Sequence, residues 1–71
     1  MNKKEYLVDY VMRYFNIDEK RLVLEQKPKE PNVAYYERLQ KYLYRKSNKW
    51  LMELIYEVVG DITEIRDRYG E

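Results

Sequence analysis

The sequence predicts an all-α fold, a small three-helix bundle formed by a helical hairpin and an N-terminal helix. The main observation is the apolar pattern between positions 50 and 69, where apolar residues recur at helical spacing. On a helix these positions fall within an arc of roughly 100°, the width of a stripe that faces a core. No two segments show the alternation that a pair of strands would need. The stripe consists of Leu51, Leu54, Ile55, Val58, Ile62, Ile65 and Tyr69.

The composition predicts one small domain, residues 1–71, without a metal or a cofactor. A chain of 71 residues buries only about 60% of its unfolded surface, so we expect either idealised helix packing or self-association to contribute to its stability. The absence of Cys and His removes the usual ligands of zinc and haem and all thiol chemistry. No apolar run is long enough to span a bilayer. We therefore expect a cytoplasmic protein with no membrane contact.

The N-terminal helix, predicted over residues 3–15, has an apolar face wider than one neighbour can cover. Its single polar stripe leaves an apolar arc of roughly 240°. Either this helix is wedged between two others, or part of it meets a second copy of the chain. Tyr6, Tyr10 and Tyr14 are therefore candidate residues of a partner or dimer surface. The alternative is that these amphipathic rings lie half-exposed at the rim of the bundle.

The segment of residues 16–31 carries conflicting signals. Asp18 is a candidate N-cap for a short helix that ends at Glu25, with Ile17 and Leu22 pointing inward. Residues 21–25 also alternate like a short strand, but a strand without a partner is unstable, so we favour the short helix or an extended linker. The prolines at positions 28 and 31 then break the chain into two halves.

The second half predicts the helical hairpin. Asn32 is a candidate N-cap for a helix over residues 33–46, whose inner side carries Tyr36, Leu39 and Leu43. Ser47 and Asn48 mark a turn into a third helix over residues 48–69, although one bent helix over residues 32–69 is the alternative. Gly60 is expected to kink this last helix without ending it, because the apolar pattern keeps its phase. The predicted core is Leu7, Val11, Phe15, Leu39, Leu43, Leu51, Ile55, Val58 and Ile62.

A basic face on the second helix is a candidate nucleic-acid surface. Cations at helical spacing lie on one face there, with aromatic rings beside them, which is a combination that nucleic-acid surfaces use. The alternative is an ordinary solvated face, because 14 cations are almost balanced by 13 acids over the whole chain. The candidate nucleic-acid-binding residues are Arg38, Lys41, Tyr42, Arg45, Lys46 and Lys49.

An acidic stripe on the last helix, formed by Glu53, Glu57, Asp61 and Glu64, offers a counterpart to the basic face. Carboxylates about 6 Å apart along a rigid helix do not wrap a cation, so we expect no metal site. Either the acidic and basic stripes face each other within the hairpin, or each meets its opposite on another molecule.

Catalysis lacks most of the residues that it needs. Ser47 is the only serine and has no base near it in sequence, and Gly60 and Gly70 are too few for a phosphate-binding loop. We expect neither an enzyme nor a small-molecule substrate.

The sequence leaves two classes of function open. The first is a small regulator or adaptor that binds a protein partner or forms a homodimer through its surplus apolar surface. A second apolar patch, formed by Met52, Tyr56 and Val59, adds to the tyrosines of the first helix. The alternative is a small DNA- or RNA-binding regulator that uses the basic face.

Overall fold

Residues 2–70, the range that the computed structural model describes, form five helices and no strand. The all-α prediction is therefore confirmed, and the strand considered for residues 21–25 is wrong. The short helix favoured for residues 16–31 is present, and the count of three main helices differs because the last of them is divided in two. The helices are α1 (Lys3–Tyr14), α2 (Ile17–Val23), α3 (Asn32–Tyr44), α4 (Asn48–Val59) and α5 (Thr63–Tyr69).

The N-cap of helix α2 lies two residues before the predicted one. Asn16, not Asp18, is the N-cap: its Oδ1 accepts from the Glu19 backbone N–H at 2.8 Å, while the Glu19 carboxylate accepts from the Asn16 N–H at 2.9 Å. This reciprocal pair satisfies two donors at the helix start. Helix α2 ends at Val23, and the side chains of Ile17 and Val23 are partly buried against the core. Leu22, predicted to point inward, is 87% exposed.

The turn between α3 and α4 lies where the sequence predicts it, but these two helices pack mainly on α1 and not on each other as in the predicted hairpin. The Ser47 hydroxyl accepts from the Trp50 backbone N–H at 3.0 Å and so caps α4. The alternative of one bent helix over residues 32–69 is wrong. Helix α3 begins at Asn32 with Pro31 in the cap position and no side-chain cap, so the prediction of Asn32 as N-cap is wrong.

Gly60 ends α4 instead of kinking a continuous helix. Its φ of 84° lies in the left-handed region, and its N–H donates to the Tyr56 carbonyl at 2.7 Å. Glycine adopts this conformation without the steric cost that a Cβ imposes. The chain then turns, with Asp61 Oδ1 accepting from the Thr63 N–H at 2.9 Å, and α5 follows.

The core is one cluster to which α1, α3, α4 and α5 contribute. Eight of the nine predicted core residues are buried, and Val58 is partly buried against them. The prediction missed Val8 and Met52, and it chose Tyr36 on α3 where Tyr35 is the fully buried ring. Ile65 belongs to the predicted core-facing stripe, although the list of predicted core residues omitted it. The buried apolar residues of the described chain are Leu7, Val8, Val11, Phe15, Tyr35, Leu39, Leu43, Leu51, Met52, Ile55, Ile62 and Ile65.

Helix α1 is central, since it packs against both α3 and α4. Lys4, near the start of α1, donates through Nζ to the backbone carbonyls of Tyr44 and Lys46 at the end of α3. The two helices therefore run in opposite directions. Helix α5 also runs opposite to α1, because Lys3 Nζ donates to the Gly70 carbonyl at 3.3 Å.

Candidate interaction surfaces

A groove of about 680 Å³ lies between α4 and the segment that leads into α5. Its apolar part comes from Met52, Tyr56 and Ile62. Met52 and Ile62 are each only 8% exposed, whereas the Tyr56 ring is 57% exposed. The groove is lined by Lys3, Asn48, Lys49, Met52, Glu53, Tyr56, Glu57, Ile62 and Arg66.

Charges of both signs line the groove without pairing to one another. Helix α4 contributes Lys49, Glu53 and Glu57, while Arg66 comes from α5 and Lys3 from α1. The ion pairs within residues 2–70 are Asp9 with Arg13, Asp18 with Arg21 and Glu30 with Arg38, so none of them involves the groove. The groove therefore combines an apolar centre with charged groups that form no ion pair within residues 2–70, although Lys3 Nζ donates to the Gly70 carbonyl.

Asn48 lines the groove at the start of α4, and its Oδ1 atom is buried. Within the described range this oxygen accepts no hydrogen bond. A buried acceptor without a donor costs free energy, so the position of this side chain is unfavourable for stability.

Tyr6, Tyr10 and Tyr14 form a continuous row of rings on α1. Ring centres lie 6.4 Å apart between Tyr6 and Tyr10 and 4.8 Å apart between Tyr10 and Tyr14. Tyr69 of α5 extends the row, with its ring centre 5.1 Å from that of Tyr6. Tilted pairs at these distances are mutually attractive. The row is half-buried at Tyr6 and Tyr10 and 65% exposed at Tyr14.

Neighbouring charges act on this tyrosine row. The Arg68 guanidinium lies 5.1 Å from the centre of the Tyr6 ring, a distance at which a cation is attracted to the ring face. Burial and the nearby Glu64 carboxylate raise the pKa of Tyr6, and burial raises the pKa of Tyr10. Both phenols therefore stay protonated at neutral pH.

Helix α5 contacts both apolar surfaces predicted for a partner. Tyr69 packs on the tyrosine row, whereas Ile62, just before α5, and Arg66 line the groove with Met52 and Tyr56. Val59, the third residue of the α4 patch, is 45% exposed at the end of that helix. The predicted partner-surface residues thus belong to two separate surfaces, the tyrosine row on α1 and the patch on α4. The α4 patch includes the concave groove.

Arg38, the first residue of the predicted basic face, is held by the loop before α3. Its Nε and Nη2 atoms donate to the two carboxylate oxygens of Glu30 at 2.9 and 2.7 Å, and Nη2 also donates to the Glu25 carbonyl at 2.7 Å. Hydrogen bonds from Arg38 and from the Lys27 N–H lower the pKa of Glu30 to about 2. A bidentate pair of this kind fixes the arginine in place.

Two further members of the basic face are joined by a cation–ring contact. The Lys46 ammonium lies 4.7 Å from the centre of the Tyr42 ring and 4.9 Å from that of Trp50. The two rings meet edge to face, with their centres 6.2 Å apart. These rings therefore bind a cation of this chain, which reduces their availability for stacking on a base.

Lys41, Arg45 and Lys49 are the exposed cations of the basic face. None of them takes part in an ion pair with another described residue, and Glu53 and Glu57 are likewise unpaired. The two charge stripes therefore do not neutralise each other within the chain. Lys41 and Arg45 line a shallow pocket of about 270 Å³ together with Leu24, Arg38 and Tyr42.

Sequence reasoning missed Glu30 and Tyr35, which fix the loop onto α3. Tyr35 Oη donates to the Leu24 carbonyl at 2.6 Å, and Glu30 binds Arg38 eight positions away. Neither contact follows a helical or strand period, so the only sequence signal was an acid and a cation on either side of Pro31.

Among residues 2–70 no cluster of acidic side chains is suited to hold a metal ion. In the same range no helix has the length and apolarity needed to cross a bilayer. No protein-family model, curated protein or solved structure matches the chain.

Proposed function

We propose that the protein is a small, non-enzymatic, cytoplasmic interaction protein, a regulator or adaptor that binds a protein surface through the groove beside α4. The observation that carries the proposal is the open groove itself, with an exposed Tyr56 and unpaired charges around it. Interfaces commonly place a desolvated aromatic residue at their centre and charged groups at the rim. The groove offers this arrangement on one face of the bundle.

The magnitude expected for Tyr56 is that of a binding hot spot. Its ring is 57% exposed, which leaves roughly 100 Å² for a partner to cover. At about 25 cal/mol per Å² this area contributes about 2.5 kcal/mol. Tyr56→Ala is therefore expected to weaken partner binding by roughly 30- to 100-fold.

Photocrosslinking in the source cell tests this proposal. A photoreactive phenylalanine analogue at position 56 is expected to form covalent adducts with a protein, whether a second copy or another chain. The same analogue at position 22 is the matched control, since Leu22 is 87% exposed and lies on α2, away from the groove. An absence of adducts at position 56, or equal adducts at both positions, would contradict the proposal.

A nucleic-acid-binding regulator is the second candidate, favoured by the exposed cations Lys41, Arg45 and Lys49. The binding of Arg38 to Glu30 weakens this candidate, as does the near-neutral total charge of +1. Three phosphate contacts would give a log–log salt slope of about −2.7. We expect no saturable binding of duplex or single-stranded probes at low salt. Saturable, salt-sensitive binding that is lost in Arg45→Ala and Lys49→Ala variants would make nucleic acid the preferred partner.

A further inference from the structure

We propose that the occupant of the groove is a second copy of this chain, related by a two-fold axis, and this inference rests on the function proposed above. Its basis is the placement of opposite charges around the groove. On the α4 side, Glu53 and Glu57 follow Lys49, and the other lining residues include the cations Lys3 and Arg66. In the proposed dimer the carboxylates of one copy pair with Arg66 and Lys3 of the partner subunit.

Two-fold symmetry requires a surface that is complementary to itself. In such an interface both subunits use the same patch, so each acid of one subunit must meet a cation that belongs to the same patch of the other subunit. The groove meets this condition, with three cations and two acids among its lining residues. A partner of uniformly acidic or basic charge would be attracted by some of these lining residues and repelled by the others. Charge complementarity therefore favours a second copy.

Tyr56 is the apolar contact of the proposed dimer. It lies on α4 beside Glu57 and one turn after Glu53, and its ring is 57% exposed. Facing copies of α4 bring this ring onto the apolar part of the partner subunit's groove. Val59, one turn further along α4 and 45% exposed, extends the same contact.

The size of the surface sets the expected strength. One groove and one exposed ring per subunit correspond to an interface at or below the low end of the usual range, about 1,200 Å² in total. Such a dimer is transient, with a Kd that is roughly micromolar. Monomer and dimer then exchange as the protein concentration changes, which is suited to a regulator.

A charge-swap series measured by sedimentation equilibrium tests the dimer. The wild-type protein is expected to pass from monomer to dimer between roughly 1 and 500 µM. Glu57→Lys and Arg66→Glu should each weaken the dimer by roughly 10- to 30-fold, since symmetry repeats each reversed contact twice. The double variant E57K/R66E restores opposite charges and should recover most of the affinity.

Matched controls separate this effect from net charge and folding. Glu37→Lys and Arg45→Glu make the same charge changes on exposed positions of α3 and the residue after it, outside the groove. Both controls should dimerise like the wild type. Circular dichroism melts of every variant at the lowest concentration check that the monomer is folded.

Each outcome supports or overturns the inference. If the wild-type protein is monomeric over the whole concentration range, the occupant of the groove is not a second copy and the inference is overturned. The proposed function would still be supported if position 56 forms adducts with another protein. If neither single variant weakens the dimer, its interface lies elsewhere on the surface and the groove is excluded as the interface. Failure of the double variant to recover affinity overturns the assigned charge pairs.

Discussion

Replacing Ile55 with Ala tests which face of α4 forms the core. Ile55 is fully buried in the cluster that joins α4 to its neighbours. The substitution removes three carbon atoms, and about 0.8 kcal/mol per buried methylene gives about 2.4 kcal/mol for their transfer to water. A cavity that collapses only in part raises the expected cost to about 3–4 kcal/mol.

That loss is large for a chain of 71 residues, whose total stability is expected to be about 4–11 kcal/mol. The melting temperature should fall by roughly 12–30 °C. Urea melts followed by far-ultraviolet circular dichroism measure the change. Ile55→Val is the graded control, with an expected cost of about 0.5–1.5 kcal/mol, and the exposed Glu57→Ala should cost at most about 0.5 kcal/mol. Equal losses at positions 55 and 57 would refute the assignment of the inner face.

Three further predictions concern the loop and the helix ends. Tyr35→Phe removes the donor to the Leu24 carbonyl and should cost about 1–2 kcal/mol in denaturant melts, with Tyr36→Phe as the unaffected control. Gly60→Ala places a Cβ at a φ of 84° and should cost about 1–2 kcal/mol, and an unchanged melting temperature would contradict the left-handed turn. The Glu30 carboxyl should titrate near 2 instead of 4.5 by NMR. Because the folded pKa is the lower one, its stabilisation is complete above pH 4.5, falls as pH decreases towards 2, and is absent in Glu30→Gln.

Helical periodicity predicted most of the fold because the core is built from stripes on helices. The spacing of Leu39 and Leu43, and of Leu51 and Ile55, placed these side chains correctly. The same reasoning failed at Gly60, because the apolar phase of the last stripe continues through the turn to Ile62 and Ile65. Only the left-handed backbone distinguishes a helix end from a kink, and a pattern of side chains does not report it.

The choice between Tyr35 and Tyr36 shows a second limit. Both positions fit one face of α3 with Leu39, since spacings of four and three residues are equally helical. The buried position was decided by the loop, because Tyr35 reaches the Leu24 carbonyl and Tyr36 instead lies beside the Lys20 ammonium, 4.8 Å away. Such contacts join residues that are far apart in the sequence, and the spacing of apolar residues within one helix does not predict them.

The candidate surfaces were predictable as lists of residues but not as shapes. The sequence indicated that Tyr56 and Val59 form a patch beside the core, yet the concavity requires Ile62 and Arg66 to fold back towards α4. Likewise, Arg38 is bound by Glu30 only because the loop before α3 passes beside that helix. Tertiary arrangement therefore decides which charges are free, and composition decides only how many there are.

The proline-containing break at residues 27–31 divides the sequence but not the core. Helix α1 precedes the break, and its partners α3 and α4 follow it. A chain cut within the break would thus give two peptides that each expose their part of a shared apolar cluster, and neither should fold alone. Mixed together, the two peptides should recover native helicity, because the peptide bond there contributes mainly loop-closure entropy. Helix α1 is synthesised before both of its packing partners, so its apolar face is covered fully only after α4 has been made.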